Sequence, residues 1–324
     1  VRITALAGGT GAARFLRGLK AELAARGGSD TVTVIANTAD DITLFGLRVC
    51  PDLDTLMYTL GGGVHEEQGW GRADETFTVK AELAAYDAQP QWFGLGDRDF
   101  ATHIVRSQML GLGYPLSQVT QALCARWEPG VALLPMTDDP VESHVVIDDD
   151  QGRRAVHFQE WWVRMHAGTP AQSIVAIGAD EAKPGPGVLD AIAEADLVLL
   201  PPSNPVVSIG TILAVPGIRG AVSRAEAPVV GVCPIISGAP VRGMADACLA
   251  AIGVPSTARG VAAHYADLID GWLVDSADAA DLGEHPVPGV LVRALPLLMT
   301  DPTTTRAIAG AALDLGADLR ERRS

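Results

Sequence analysis

Apolar and polar positions fall along this chain in two textures. Residues 1–6 form a short apolar run of strand character that passes straight into Ala7-Gly8-Gly9-Thr10-Gly11. Over residues 12–25 the apolar side chains of Phe15, Leu16, Leu19 and Leu23 recur at helical spacing, and Thr31–Ala36 returns to strand. Strand, glycine loop, helix and strand in this order make a βαβ unit, whose right-handed crossover sets the two strands parallel. Further on, residues 173–178 and Leu197–Leu200 read as strands, with a helix over 186–195 between them. Residues 229–233 are apolar throughout and precede a helix over 244–252. Continuous apolar runs of this length suit parallel strands buried on both faces. These elements predict the α/β class: a Rossmann-like, doubly wound, mostly parallel sheet.

Between about residue 64 and residue 170 the texture changes. Trp70, Trp92, Trp127, Trp161 and Trp162, five of the six tryptophans, fall here. Helical patterns cover 101–110 and 116–125, and residues 144–148 and 154–158 flank Asp149-Asp150-Gln151-Gly152 as the arms of a hairpin would. The expectation is an inserted, mainly helical subdomain with a β-hairpin over 64–170, set into a core made of 1–63 and 171–324.

Composition narrows the function. With 324 residues, 48% hydrophobic and 19% charged, the chain can fill a large core. A net charge of −15 repels the backbone of DNA or RNA and argues against a nucleic-acid partner. It leaves room for a small phosphate-bearing ligand, because backbone N–H groups or a bound metal neutralise such a group locally. Cys50, Cys124, Cys233 and Cys248 contain no CxxC pair and read as reduced, buried thiols. No apolar run reaches 18 residues and no signal-like segment opens the sequence, so a soluble, cytoplasmic protein is expected, with no membrane partner.

Several segments carry residue types suited to chemistry. Gly8, Gly9, Thr10 and Gly11 stand where a strand turns into a helix; glycines there let a phosphate approach the backbone, or simply allow a tight turn. No Gly-Lys-Ser/Thr follows, so this is not a Walker loop. Asn37-Thr38-Ala39-Asp40-Asp41 follows the second strand, and Pro51-Asp52-Leu53-Asp54-Thr55 comes soon after. Acid pairs at the carboxyl end of a parallel sheet hold a hard cation or orient a hydroxyl; equally, Asp52 or Asp54 caps the helix that continues through Leu56, Met57 and Leu60. Leu95-Gly96-Asp97-Arg98-Asp99 runs into Thr102-His103, and Pro135-Met136-Thr137-Asp138-Asp139-Pro140 ends an apolar strand. Ser203, Asn204, Ser208 and Gly210 lie in Pro201–Gly210, and Ser237, Gly238 and Arg242 lie in the Pro234–Gly243 stretch. His157, His166, His264 and His285 lack metal-ligand spacing and read as structural. No GxSxG or HExxH pattern occurs.

Taken in order, these strings resemble the family of 2-phospho-L-lactate transferases, which assemble the deazaflavin coenzyme F-420. The likeness runs from residue 3 to about 243 and resumes at Leu298-Met299-Thr300. It implies a reaction in which the terminal ribityl hydroxyl of the deazaflavin Fo attacks the phosphorus beside a three-carbon acid, and GMP leaves. The donor is guanosine diphosphate-linked, with a phosphoenolpyruvyl or a 2-phospho-L-lactyl group. The resemblance also implies Mg²⁺, a homodimer, and a nucleotide held by Gly8–Gly11 and by Ser203, Asn204, Ser208 and Gly210. Asp52 and Asp54 fall in the family's metal and deazaflavin region. Asp54 is expected to bind metal or act as base, Asp52 to bind metal or orient the hydroxyl, and Asn37 and Asp41 to support them. Asp97, Arg98 and His103 are expected on the substrate. On this reading Asp54→Asn removes turnover and leaves the fold intact. Two departures stand out: Asp40-Asp41 replaces Glu-Asp, and Gly94 occupies a place where a basic residue is common. The rival class is a non-catalytic, nucleotide-sugar-binding regulator, which shares the glycine loop and the Ser/Asn-Pro turn.

Overall fold

The structure is a computed structural model and describes residues 1–282 and 287–323; His285 lies outside the described residues. β1 (Arg2–Ala7) and β2 (Thr31–Ala36) pair in parallel with α1 (Gly9–Arg26) between them. The helix starts at Gly9, so the glycine loop is its first turn rather than a free loop ahead of it. It stops at Gly27, whose φ of 71° returns its N–H to Leu23 O. Its buried stripe of Ala12, Ala13, Phe15, Leu16 and Leu19 packs on the sheet, and each of the larger apolar side chains contributes roughly 1.5–3 kcal/mol.

After β2 come a small hairpin, β3 (Ile42–Leu44) and β4 (Leu47–Val49), and four helices: α2 (Pro51–Leu60), α3 (Thr78–Ala85), α4 (Asp97–Gly111) and α5 (Leu116–Trp127). β5 (Ala132–Pro135) then pairs with β2 at the edge of the main sheet. β6 (Glu142–Asp149), β7 (Gly152–His157) and β8 (Ala171–Ile177) form a separate antiparallel sheet in the order β7-β6-β8. The chain returns to the core through α6 (Val188–Ala193), β9 (Leu197–Leu200), α7 (Ile209–Ala214), α8 (Ile218–Ser223) and β10 (Val229–Val232). A two-residue ribbon of β11 (Ile235–Ile236) and β12 (Ala239–Pro240) precedes α9 (Ala245–Ala251) and α10 (Ala258–His264). β13 (Gly271–Val274), α11 (Ala279–Leu282), β14 (Leu291–Ala294) and α12 (Pro302–Arg323) complete it.

The main sheet has seven strands, all parallel, in the order β14-β13-β10-β9-β1-β2-β5. This is the expected doubly wound α/β fold. Two assignments need correction. The strand expected at 173–178 exists as β8, but it pairs antiparallel with β6 outside the core. Its exposure alternates along the strand, as one-faced burial requires, whereas β9 and β10 are buried at every position. Conversely β5, inside the stretch 64–170, belongs to the main sheet. A boundary at 170/171 therefore separates β8 from its partner β6. The small sheet has its own apolar cluster, in which Val145, Ile147, Val156, Phe158 and Trp161 meet Val207 and Cys248.

From β1 the chain first moves one way, to β2 and β5, and later fills the other side with β9, β10, β13 and β14. The loops leaving β1 and β9 diverge at this reversal and open a crevice at the carboxyl ends of the strands.

Candidate active site

Three backbone segments meet in that crevice because glycines let them. A Cβ at Gly8 would lie 2.4 Å from Asp52 Oδ2 and 2.8 Å from Ser208 Cβ, and one at Gly11 would lie 2.2 Å from Pro202 O. The Gly8 N–H donates to Ser203 Oγ at 3.3 Å. The glycines thus serve close packing of α1 against the start of α2 and the loop after β9. Asn37, fully buried at the end of β2, ties the same segments together. Its Nδ2 donates to Asp52 Oδ2 (2.9 Å) and Val207 O (3.1 Å), and its Oδ1 accepts from Ala39 N (3.0 Å) and Thr211 Oγ1 (2.8 Å). Asn204 Oδ1 shapes the loop by accepting the Val206 and Val207 N–H groups. Gly210 passes close to Pro205 O, 2.8 Å from where a Cβ would stand. Thr10 turns toward Gly69.

On this side of α2 two of the three carboxylates lack counter-charges. Neither Asp40 nor Asp52 has an ion-pair partner among the described residues. Burial pushes Asp52 up to about 6, against the Asn37 and Gly9 hydrogen bonds. Burial and then the neighbouring Asp52 charge drive Asp40 well above the carboxylate range. Asp41 rises to about 7 through burial, opposed by Arg48, whose NH2 stands 3.4 Å from Oδ2. Asp40 Oδ1 and both Asp41 side-chain oxygens are buried without a hydrogen-bond partner among the described residues. His157 holds the Asp41 backbone: its Nδ1 accepts from Gln159 N, which leaves Nε2 to donate to Asp41 O at 3.2 Å. That is a structural role, as expected.

Asp54 lives in different surroundings. Residues two apart on a helix do not face each other. Asp52 meets Gly8 and Asn37, while Asp54 meets α4. Arg106 grips both Asp54 oxygens, NH1 at 3.1 Å and NH2 closer still, and is itself 1% exposed. His103 Nδ1 stands 3.7 Å from Asp54, and its Nε2 stands 3.3 Å from Asp99 Oδ2. Tyr58 OH donates to Asp99 Oδ1 at 2.6 Å. Burial would raise Asp99, but the His103 and Tyr58 contacts outweigh it and hold its carboxyl below the usual range. Helix geometry sends Asp52 and Asp54, both expected near the metal, to opposite sides of α2, and Arg106 pairs with Asp54. Arg106 went unread in the sequence, although Asp99, His103 and Arg106 at i, i+4 and i+7 share one helix face and mark it.

The other expected substrate residues separate too. Asp97 caps α3, accepting from Thr76 Oγ1 at 2.6 Å, Val79 N at 2.9 Å and Thr78 N at 3.0 Å, contacts that pull it down to about 2. Arg98 is exposed and lines a different cavity, and His103 is buried behind Asp54. At Gly94, a Cβ would lie 3.1 Å from Lys80 Nζ, so α3 places a basic group where the sequence lacks one. The four cysteines are unbridged, and Cys50, Cys233 and Cys248 are buried. Among the described residues no three of His, Cys, Asp or Glu form a ready metal cage, and no helix is long and apolar enough to cross a membrane.

The profile of the family described as 2-phospho-L-lactate transferase CofD matches residues 3–285. The chain belongs to that family. The match passes well beyond residue 243, where the ordered strings thin out. Proteins named phosphoenolpyruvate transferase are similar over nearly the whole length. That of Thermobifida fusca is 70% identical over 99% of this chain and 100% of its own, and that of Kitasatospora aureofaciens 67% over 99% of each. A solved structure of a upf0052 family member from Bacillus halodurans aligns with a TM-score of 0.63 at 17% identity. It covers 96% of this chain and 98% of that one, a likeness of fold alone. As a member of the family, the chain is a transferase of coenzyme F-420 biosynthesis.

Proposed function

We propose that this transferase moves a phosphoenolpyruvyl group from a guanosine diphosphate-linked donor to the terminal ribityl hydroxyl of the deazaflavin Fo, releasing GMP. The 2-phospho-L-lactyl donor is the family's other substrate; relatives at 64–70% identity named phosphoenolpyruvate transferase favour the first. The observation that carries the reading is the pair of buried, uncompensated carboxylates Asp40 and Asp52 at the sheet's reversal point, with Asp41 beside them held by Arg48.

Their donor set fits Mg²⁺, which takes one or two carboxylates together with substrate phosphates and water. Asp40, which has no ion-pair partner among the described residues, would hold the ion beside Asp52, and Asp54 would not. When bound, it supplies positive charge against the diphosphate and the charge that develops in transfer. The ribityl oxygen forms a bond to the phosphorus beside the three-carbon acid while the bond from that phosphorus to the bridging oxygen breaks; GMP keeps the electron pair. Asp52, raised toward neutral pH, accepts the hydroxyl proton. Asn37 fixes its orientation. The N–H groups of the first turn of α1 after Gly9, whose own N–H serves Asp52, face the nucleotide phosphates. Ser203 Oγ accepts from Gly8 and keeps its own proton to donate. Asp54, Arg106, His103 and Asp99 act as positioning residues that lock α2 to α4. Lys80 makes the basic contact to the deazaflavin, and Lys80→Ala raises KM for Fo by about tenfold with kcat little changed, as loss of one charged contact should. The family's homodimer belongs to the same reading.

The deciding test is turnover followed by mass spectrometry, with Fo, Mg²⁺ and each guanosine diphosphate-linked donor supplied separately. Product from the phosphoenolpyruvyl donor alone is expected. Product only from the lactyl donor would change the three-carbon unit. No product from either, with folded protein, would favour the nucleotide-sugar-binding regulator.

A further inference from the structure

The far end of α2 carries a cavity of the opposite charge. Gly61, Gly62 and Gly63 follow the helix's last residue, and with Ala73, Asp74 and Trp127 they line an open cavity of about 410 Å³ walled by Arg72, Arg98 and Arg126. Asp52 stands in the first turn of this ten-residue helix, so the two places lie roughly 15 Å apart along its axis.

Three arginines around one space are unusual in a chain with 24 basic and 39 acidic residues. None of the three takes part in an ion pair among the described residues, and Asp74 is the cavity's only carboxylate. The guanidinium carbons of Arg72 and Arg126 stand 5.0 and 4.8 Å from the Trp127 ring centre, so the indole holds both cations in place. Arg72 NH1 donates to the backbone Arg98 O at 2.9 Å, which ties Arg72 to the first turn of α4, while Arg72 Nε is buried without a partner among the described residues. Gly62, at φ 76°, opens onto empty space, where an added Cβ would touch nothing within 4 Å. Like charges gathered on a rigid platform and left uncompensated are stabilised by an anion that several of them share. A carboxylate offers two oxygens and satisfies one guanidinium fork. A phosphate or diphosphate offers more acceptors in more directions, and the cavity lies in the size range of small-molecule sites.

We propose that this cavity is a second anion site, which binds a phosphate-bearing small molecule outside the candidate active site. Its ligand is either a free polyphosphate or the phosphate end of a nucleotide. Its recognition rests on Arg72, Arg98 and Arg126 and owes nothing to Asp52.

The test is arginine footprinting of the full chain with phenylglyoxal, read by mass spectrometry, with pyrophosphate, GDP or citrate at matched ionic strength. Pyrophosphate or GDP is expected to slow labelling of Arg72, Arg98 and Arg126 several-fold, in wild type and in Asp52→Asn alike. Protection by GDP at lower concentration than by pyrophosphate identifies a nucleotide; the reverse identifies a free polyphosphate. Arg126 is exposed, so Arg126→Gln should fold normally and bind the anion at least about tenfold more weakly. Equal labelling with and without both phosphates overturns the proposal. So does equal protection by citrate, or unchanged affinity in Arg126→Gln.

Discussion

Asp52 and Asp54 are the same residue type, two positions apart in one helical turn and both buried, yet they sit in opposite electrostatic settings. Asp54 faces a finished network: a bidentate Arg106, a histidine, and behind them Asp99 and Tyr58. Asp52 faces another carboxylate, an amide and glycine backbone, with no cation. A satisfied ion pair of this kind holds structure together, whereas a buried carboxylate left at about 6 carries a standing cost that a ligand or cation would relieve. The difference teaches which acid to read as chemistry and which as architecture, something proximity in sequence conceals.

The largest expected effect separates the two by activity. Asp52→Asn should lower kcat by about 10²–10⁴-fold, the scale of a lost general base, while the protein melts no lower than wild type because a buried uncompensated charge is gone. Near-wild-type turnover would remove Asp52 from the chemistry. Next comes stability. Asp54→Asn leaves Arg106 buried and unpaired, and should cost about 3–5 kcal/mol in urea unfolding, with Asp54→Leu combined with Arg106→Met recovering much of it. If instead Asp54→Asn unfolds like wild type and yet loses turnover, the comparison is inverted and Asp54 is the reacting acid.

The smallest effect follows pH. Asp52 and Asp41 have folded-state values near 6 and 7, above the ordinary value of 3.8, so the folded chain binds more protons than the unfolded one. Their contribution to stability is therefore full below about 3.8 and is lost as pH rises through 6 and 7. Melting in Mg²⁺ should rise more at pH 8 than at pH 5, because only the ionised acids call for the cation. An equal rise at both would separate the cation from these carboxylates.

Much of this was legible in the sequence, and the exceptions share a cause. Continuous apolar runs announced β1, β2, β9 and β10, and the glycine loop marked where the crevice would open. Periodicity reports which faces are buried but not which sheet a strand joins. Hence the sequence of residues 173–178 points to a core strand, and β5, four residues long, hides among helices. Gly8, Asn37, Asp52 and Ser203 lie together because each leaves the carboxyl end of a core strand or begins the helix next to it. Asp97, Arg98 and His103 share a string but not a surface, since a helix turns each in its own direction, onto α3, into the arginine cavity and behind Asp54.

The position of β1 governs how the molecule is made. One of its edges pairs with β2 at once, but the other waits for β9, and the outer face of α1 waits for α12, where Gly18 packs against Thr305 and Arg306 reaches Glu22 at 2.6 Å. A nascent chain therefore leaves the ribosome with an open strand edge until β9 has been translated and an uncovered helix until α12 has, both adhesive surfaces. The crevice closes on Ser203 and Ser208 only after β9 is seated, so an interrupted message yields no weakened enzyme but a fragment that chaperones and proteases must handle.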